Sequence, residues 1–204
     1  KDSQPEHEIQ SIYRSIYMVV LHFTNIDIHI KKNETLDESF VNKFHSIIQR
    51  LQQNEPLQYI LGETTFAGLQ FKVNRSTLIP RPETEELVEW IVSDYRKAGQ
   101  VRILDIGTGS GCIPVSLAQL LPEAQVSSCD VSAEALRIAA MNVKRYGDKV
   151  TLFCADILKD ELPECQVDVL VSNPPYITES ERTDMEANVL DREPELALFV
   201  PDSD

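Results

Sequence analysis

No run in this 204-residue chain approaches the roughly eighteen consecutive apolar positions of a helical membrane span. The amino terminus, Lys1-Asp2-Ser3-Gln4-Pro5-Glu6, lacks the basic and apolar regions of a signal peptide. It also lacks an initiator Met, so a fragment or a processed chain is expected. Positive charge is scarce, with 19 Lys+Arg against 33 Asp+Glu and a net charge of −14. The deficit is uneven: residues 1–78 carry 8 against 9, a net of −1, and residues 79–204 carry 11 against 24, a net of −13. An acidic second half without a basic stripe argues against direct binding of nucleic acid. The four cysteines, Cys112, Cys129, Cys154 and Cys165, show no CxxC pairing. They read as small buried hydrophobes in a reducing cytoplasm, with no metal site. His22, His29 and His45 have no carboxylate or cysteine at ligand-like spacing.

What is present begins with helices. Ile9, Ile12, Tyr13, Ile16, Tyr17 and Val20 repeat at helical spacing and form one broad apolar face. A polar interval from Asn25 to Asn33 follows. Thr35 with Glu38 predicts a capping-box start for a second helix, whose apolar face is Phe40, Phe44, Ile47, Ile48 and Leu51. Pro56 interrupts that pattern. Alternation at Leu69, Phe71 and Val73, with glycines at the turns, predicts a β-hairpin. Pro82 suits a first helical position, acids follow in the first turn, and Gly99 is expected to end that helix. The doubled proline around Arg81 suggests a shaped wall beside a pocket. The division predicted is a helical domain over 1–54, a hairpin linker over 55–77 and an α/β domain over 78–204.

From residue 101 strands and helices alternate, which predicts parallel strands with crossover helices, the doubly wound class. An apolar run, Val101–Ile106, ends in Gly107-Thr108-Gly109-Ser110-Gly111, and a helical pattern follows directly. Glycine at such a turn lets the backbone approach a ligand, and the first helical amides supply N–H donors. The next three strands end at Asp130, Asp156 and Asn173, where ligands bind in this class. Asp130, about twenty residues beyond the glycine turn, suits the hydroxyls of a ribose. Nicotinamide and S-adenosylmethionine cofactors both remain open on these features.

Asn173-Pro174-Pro175-Tyr176 separates them. The prolines stiffen the turn. The Asn173 side-chain oxygen and the Pro174 carbonyl could hold both hydrogens of a planar –NH₂ group. Tyr176 presents an aromatic face, favourable to a nearby cationic methylsulfonium. No general base is evident.

The glycine turn, Asp130 and Asn173–Tyr176 resemble the class I S-adenosylmethionine-dependent methyltransferases that act on amino nitrogens. Pro56-Leu57-Gln58-Tyr59-Ile60-Leu61-Gly62 and Leu78-Ile79-Pro80-Arg81-Pro82-Glu83-Thr84-Glu85 narrow the resemblance to the HemK/PrmC family. That family methylates the glutamine amide in the Gly-Gly-Gln tripeptide of peptide-chain release factors. The resemblance implies that Gly107, Thr108, Gly109, Ser110 and Gly111 receive the methionine part of the cofactor, Asp130 the ribose, and Asp156 with Ile157 the adenine. It implies that Asn173, Pro174, Pro175 and Tyr176 hold the substrate amide, with Asn173 also beside the cofactor. The helical part would help bind the release factor. Four predicted strands, where the class has seven, imply a carboxyl-terminally incomplete methyltransferase domain with an exposed sheet edge. A cytoplasmic monomer is expected. The alternatives are a methyltransferase for adenine in DNA or RNA, a non-catalytic cofactor-binding fragment, and a nicotinamide oxidoreductase that leaves Asn173–Tyr176 unexplained.

Overall fold

The computed structural model describes residues 6–31, 33–161, 166–178, 180–181 and 192–202; Cys165 lies outside them. The chain divides into two compact units, Lys1–Glu63 and Thr64–Asp204.

The first unit holds helices α1 (Glu6–Val20), α2 (Asn25–Ile30), α3 (Glu38–Leu51) and α4 (Leu57–Leu61). Ile16, Phe40 and Ile47 are its buried centre, with Ile12, Tyr17, Phe44 and Leu57 packed around them. The interval Asn25–Asn33 is not a plain linker. Thr24 and Asp27 close a capping box, with Asp27 N–H donating to Thr24 Oγ1 (3.1 Å) and Thr24 N–H donating to Asp27 Oδ2 (2.8 Å). Helix α3 is capped by Asp37 rather than Thr35, since Asp37 Oδ1 accepts from Phe40 N–H at 2.8 Å. Gly62, in the left-handed region at φ 75°, closes α4.

The second unit opens with a hairpin, β1 (Glu63–Phe66) and β2 (Leu69–Lys72). Its two-residue turn has positive φ at both Ala67 and Gly68, the twist that suits a tight hairpin. Helix α5 (Pro82–Tyr95) stops short of Gly99, because Arg96 N–H to Val92 O and Ala98 N–H to Tyr95 O tighten its end. Strands β3 (Arg102–Ile106), β4 (Gln125–Asp130), β5 (Val150–Cys154) and β6 (Val169–Ser172) follow, with α6 (Cys112–Leu120) after β3 and α7 (Ala133–Arg145) after β4. They form one parallel sheet in the order β5-β4-β3-β6, the doubly wound arrangement expected. Short strands β7 (Ile177–Thr178) and β8 (Phe199–Val200) pair beyond it. Ile103, Leu104 and Asp105 are buried in succession, as a strand covered on both faces requires. Cys112 and Cys129 are buried, but Cys154 is exposed on β5, an outer strand of the sheet. Leu170, on the other outer strand β6, is 59% exposed.

Register decides where the loops emerge. Ile106 lies opposite Cys129 on one side and Ser172 on the other, and Asp130 lies opposite Cys154. At the far end Asp168 grips Arg102, accepting from its backbone N–H (2.9 Å), Nε (3.0 Å) and Nη2 (2.8 Å). This fork holds the Asp168 carboxyl down to about 2. At the near end Ser172 Oγ donates to Ile106 O at 2.8 Å.

Leu136, Ala140 and Val143 lie at helical spacing behind a Ser132 cap and predict the inner face of α7. The cap and Val143 hold, but the helix buries Ala135, Ile138, Ala139 and Asn142 in place of Leu136 and Ala140. Asn142 is the reason: it is fully buried and polar, and hydrophobic periodicity cannot place it. Its Oδ1 accepts from Lys72 N–H (2.8 Å), and its Nδ2 donates to Lys72 O (2.9 Å) and Ser110 O (2.8 Å). One amide thus ties the hairpin to the glycine turn. Tyr146 Oη makes a similar pair of bonds to Gln70 without touching that turn. Asn142→Ala should destabilise the chain by about 2–4 kcal/mol, and Tyr146→Phe by about 1 kcal/mol. Urea denaturation checks this; an Asn142→Ala midpoint equal to wild type would reduce the amide to a passive core residue.

Candidate active site

The chain steps outward from β3 through β4 to β5, then returns to the other side of β3 at β6. A crevice opens where such a sheet reverses, beyond the carboxyl ends of the strands. Gly107 follows Ile106 there, and Asn173 follows Ser172 directly alongside. Asp130 stands one strand away on the opposite flank. Four sequence elements far apart in the chain therefore share one edge in the order Asn173, Gly107, Asp130, Asp156.

The three glycines of the turn do different things. Gly107 and Gly109 have positive φ, and nothing lies within 4 Å of where a side chain would begin, so both open backbone surface to the crevice. At Gly111 a Cβ would stand 3.2 Å from that of Ala139, so this glycine lets α7 pack against the turn rather than making room for a ligand. The turn also spends several of its amides internally. Gly107 and Thr108 N–H donate to Cys129 O at 2.9 and 3.0 Å, and Gly111 N–H to Thr108 O at 2.8 Å. Asp130 Oδ2 accepts from Gly109 N–H and its Oδ1 from Ser132 N–H, both at 2.8 Å. Asp130 thus fixes the turn, and each oxygen keeps acceptor capacity for a ribose. Asp156 accepts from Leu158 N–H (3.0 Å) and Lys159 Nζ (2.8 Å), which hold its carboxyl below the ordinary range; Ile157 beside it is exposed.

Beneath the turn lies a group that the sequence reading missed. Asp105 is fully buried, and Ser128 Oγ donates to its Oδ2 at 2.6 Å. Its Oδ1, with Thr108 Oγ1 and Ser110 Oγ, is buried without a well-formed hydrogen bond among the described residues. Orphaned oxygens beside open glycines fit a polar, cationic ligand such as the methionine part of S-adenosylmethionine. The only sequence signal for Asp105 is an acid inside an apolar run.

On the β6 side a cavity of about 500 Å³ is lined by Asn173, Pro174, Tyr176 and Ile177 with Leu78, Arg81, Glu83, Thr84, Leu87, Ala197 and Leu198. Asn173 is half-buried, whereas Tyr176 is 75% exposed and forms a rim. The wall expected at Arg81 is present, and Glu83, read from the sequence as a first-turn acid of the helix, also lines the cavity. Among the described residues no group of three or more His, Cys, Asp or Glu could hold a metal, and no helix is long and apolar enough to cross a membrane.

The methyltransferase small domain family matches residues 84–194. The fold is also that of the hMettl16 catalytic domain bound to a MAT2A 3′UTR hairpin, at a TM-score of 0.52 and 20% identity, covering 66% of this chain and 52% of that one. The second unit is accordingly a class I S-adenosylmethionine-dependent methyltransferase fold, which leaves the nicotinamide alternative without support. The PrmC N-terminal domain family matches residues 3–62. The release factor glutamine methyltransferase of Bacteroides thetaiotaomicron is 47% identical over 205 residues, covering 100% of this chain and 73% of that protein. Its counterpart in Flavobacterium psychrophilum is 44% identical over 202 residues, 98% and 71% of the two chains. The chain belongs to the release factor glutamine methyltransferase family.

Burial pushes the Asp105 carboxyl up to about 6; the charge of Asp130 adds to this, and the Ser128 and Thr108 hydroxyls hold it back. A raised carboxyl pKa means that the folded state penalises ionisation. The penalty is absent below about pH 4, grows as pH rises to about 6, and persists at neutrality. A shift of about two units corresponds to about 3 kcal/mol. Asp105→Asn should therefore gain stability over wild type between pH 4 and 6. Chemical denaturation across that range tests this; a pH-independent difference would show that the carboxylate is not penalised.

Proposed function

We propose that this chain transfers the methyl group of S-adenosyl-L-methionine to the side-chain amide nitrogen of the glutamine in the Gly-Gly-Gln tripeptide of a release factor, as a cytoplasmic monomer. The observation that carries this reading is the pairing of β3 with β6, which sets Asn173 beside the glycine turn and over the cavity. Family membership supports the glutamine amide over an adenine amine, and the acidic second half offers nucleic acid no basic stripe.

When bound, the cofactor supplies an electrophilic methyl group on a sulfonium. Gly107, Thr108, Gly109 and Ser110 form the side that faces its methionine part, Gly111 serving instead to seat α7 against the turn; Asp130 takes the ribose, and Asp156 with Ile157 flanks the adenine. The Asn173 oxygen and the Pro174 carbonyl accept the two amide hydrogens, while Pro175 stiffens the turn. Tyr176 closes the rim. An amide nitrogen is a weak nucleophile, so alignment by these groups supplies most of the acceleration. Residues 1–54 contribute contacts to the protein substrate.

The test offers labelled cofactor together with release factor, RNA or DNA. Label should enter the release factor alone and vanish when the tripeptide glutamine is replaced; label in nucleic acid would overturn the reading. Asn173→Ala should slow single-turnover transfer by on the order of a hundredfold, with cofactor affinity changed less than about threefold. Asn173→Asp should bind cofactor no worse than wild type yet turn over more slowly, since its charge attracts the cation more before transfer than after it. Wild-type rates in both variants would leave Asn173 a turn residue.

A further inference from the structure

Arg81 and Glu193 meet at the cavity wall and have no part in the scheme above. Arg81 is the N-cap of α5, and its Nη2 lies 2.6 Å from Glu193 Oε1. Glu193 Oε2 accepts from Ile79 N–H at 3.2 Å, and the Glu193 side chain is 3% exposed. Both carboxylate oxygens are therefore engaged, and the carboxylate is sealed. Arg81 is not: its side chain is 35% exposed and lines the cavity with Asn173. Its Nε and Nη1 donate to nothing among the described residues. A buried ion pair seldom adds stability over a packed apolar pair. A guanidinium held rigid with spare donors facing a cavity is instead the arrangement that recognises an oxygen.

Resting on the glutamine-amide reading, we infer that Arg81 receives the carbonyl oxygen of the target amide, and that Glu193 acts through it as a positioning residue. An amide presents two N–H groups on one side and an oxygen on the other. The Asn173 oxygen and the Pro174 carbonyl are acceptors and can serve only the nitrogen side. Arg81 is donor-only and can serve only the oxygen side. Gripped at both ends, the amide has one plane and one orientation, with its nitrogen at the β3–β6 crevice.

Removing Arg81 alone strands a buried carboxylate, so the decisive variant is Arg81→Met with Glu193→Gln, which removes both charges and keeps a side-chain oxygen for the Ile79 amide. With wild type active on release factor, the double variant should keep its melting temperature within about 5 °C and cofactor affinity within about threefold. Its single-turnover rate should fall by on the order of a hundredfold. Arg81→Lys keeps the charge and the contact to Glu193 but loses the fork, and should be stable yet at least about tenfold slower. A double variant with near-wild-type rate and KM overturns the assignment. If that variant does not fold, a stable Arg81→Lys enzyme of wild-type rate overturns it equally. A wild-type chain that methylates no release factor fails the glutamine reading itself and takes this inference with it.

Discussion

Everything at the site depends on the register of three parallel strands. With Ile106 opposite both Cys129 and Ser172, the residues that follow each strand emerge side by side on one edge. Slipping one of these strands by a single position would turn its buried side chains to the opposite face. The β3–β6 pair is also pinned at both ends, by Asp168 on Arg102 and by the Ser172 hydroxyl on the Ile106 carbonyl. The glycine turn and Asn173 therefore need no direct contact with one another to be aligned, while Asp130 also bonds the Gly109 amide directly. Backbone pairing places them.

Within that frame the glycine turn is the region where stability and ligand chemistry conflict. Asp105 sits fully buried, and its Oδ1 and the Thr108 and Ser110 hydroxyls lack a well-formed hydrogen bond among the described residues. Such groups raise the free energy of the folded state, and they gather where a ligand can satisfy them. The surroundings compensate by rigidity. Asn142 holds the Ser110 carbonyl, Asp130 holds the Gly109 amide, and close packing of Ala139 on Gly111 leaves no room for the turn to shift.

Much of this was legible in the sequence because strand ends in this fold carry their own punctuation. Glycine, aspartate and asparagine at the ends of four apolar runs located the edge, and two upstream motifs narrowed the family. What escaped is what periodicity and local signals do not encode. Ile26, Ile28 and Ile30 alternate rather than repeat at helical spacing, so α2 was read as a polar interval until its capping box appeared in three dimensions. Asn142 is polar yet fully buried, so an apolar period cannot place it on the inner face of α7. Gly111 looked like its two neighbours, and only the position of Ala139 separates its role from theirs. Arg81 and Glu193 are 112 positions apart, and no local pattern announces their pairing.

The two halves of the crevice are built from different material. The side with the glycine turn comes from the sheet itself, from the ends of β3, β4 and β5. The cavity is walled by residues outside the sheet: Leu78, Arg81, Glu83, Thr84 and Leu87 ahead of β3, and Asn173, Pro174, Tyr176, Ile177, Ala197 and Leu198 beyond β6. Substitutions in those outer segments can reshape the cavity without moving the glycine turn or Asp130. The hMettl16 catalytic domain shares this fold at 20% identity, and a shared fold does not by itself fix what a site acts on. In this chain those walls place a sealed carboxylate behind a guanidinium, with an asparagine on the β6 side, so one cavity offers a hydrogen-bond donor and an acceptor together.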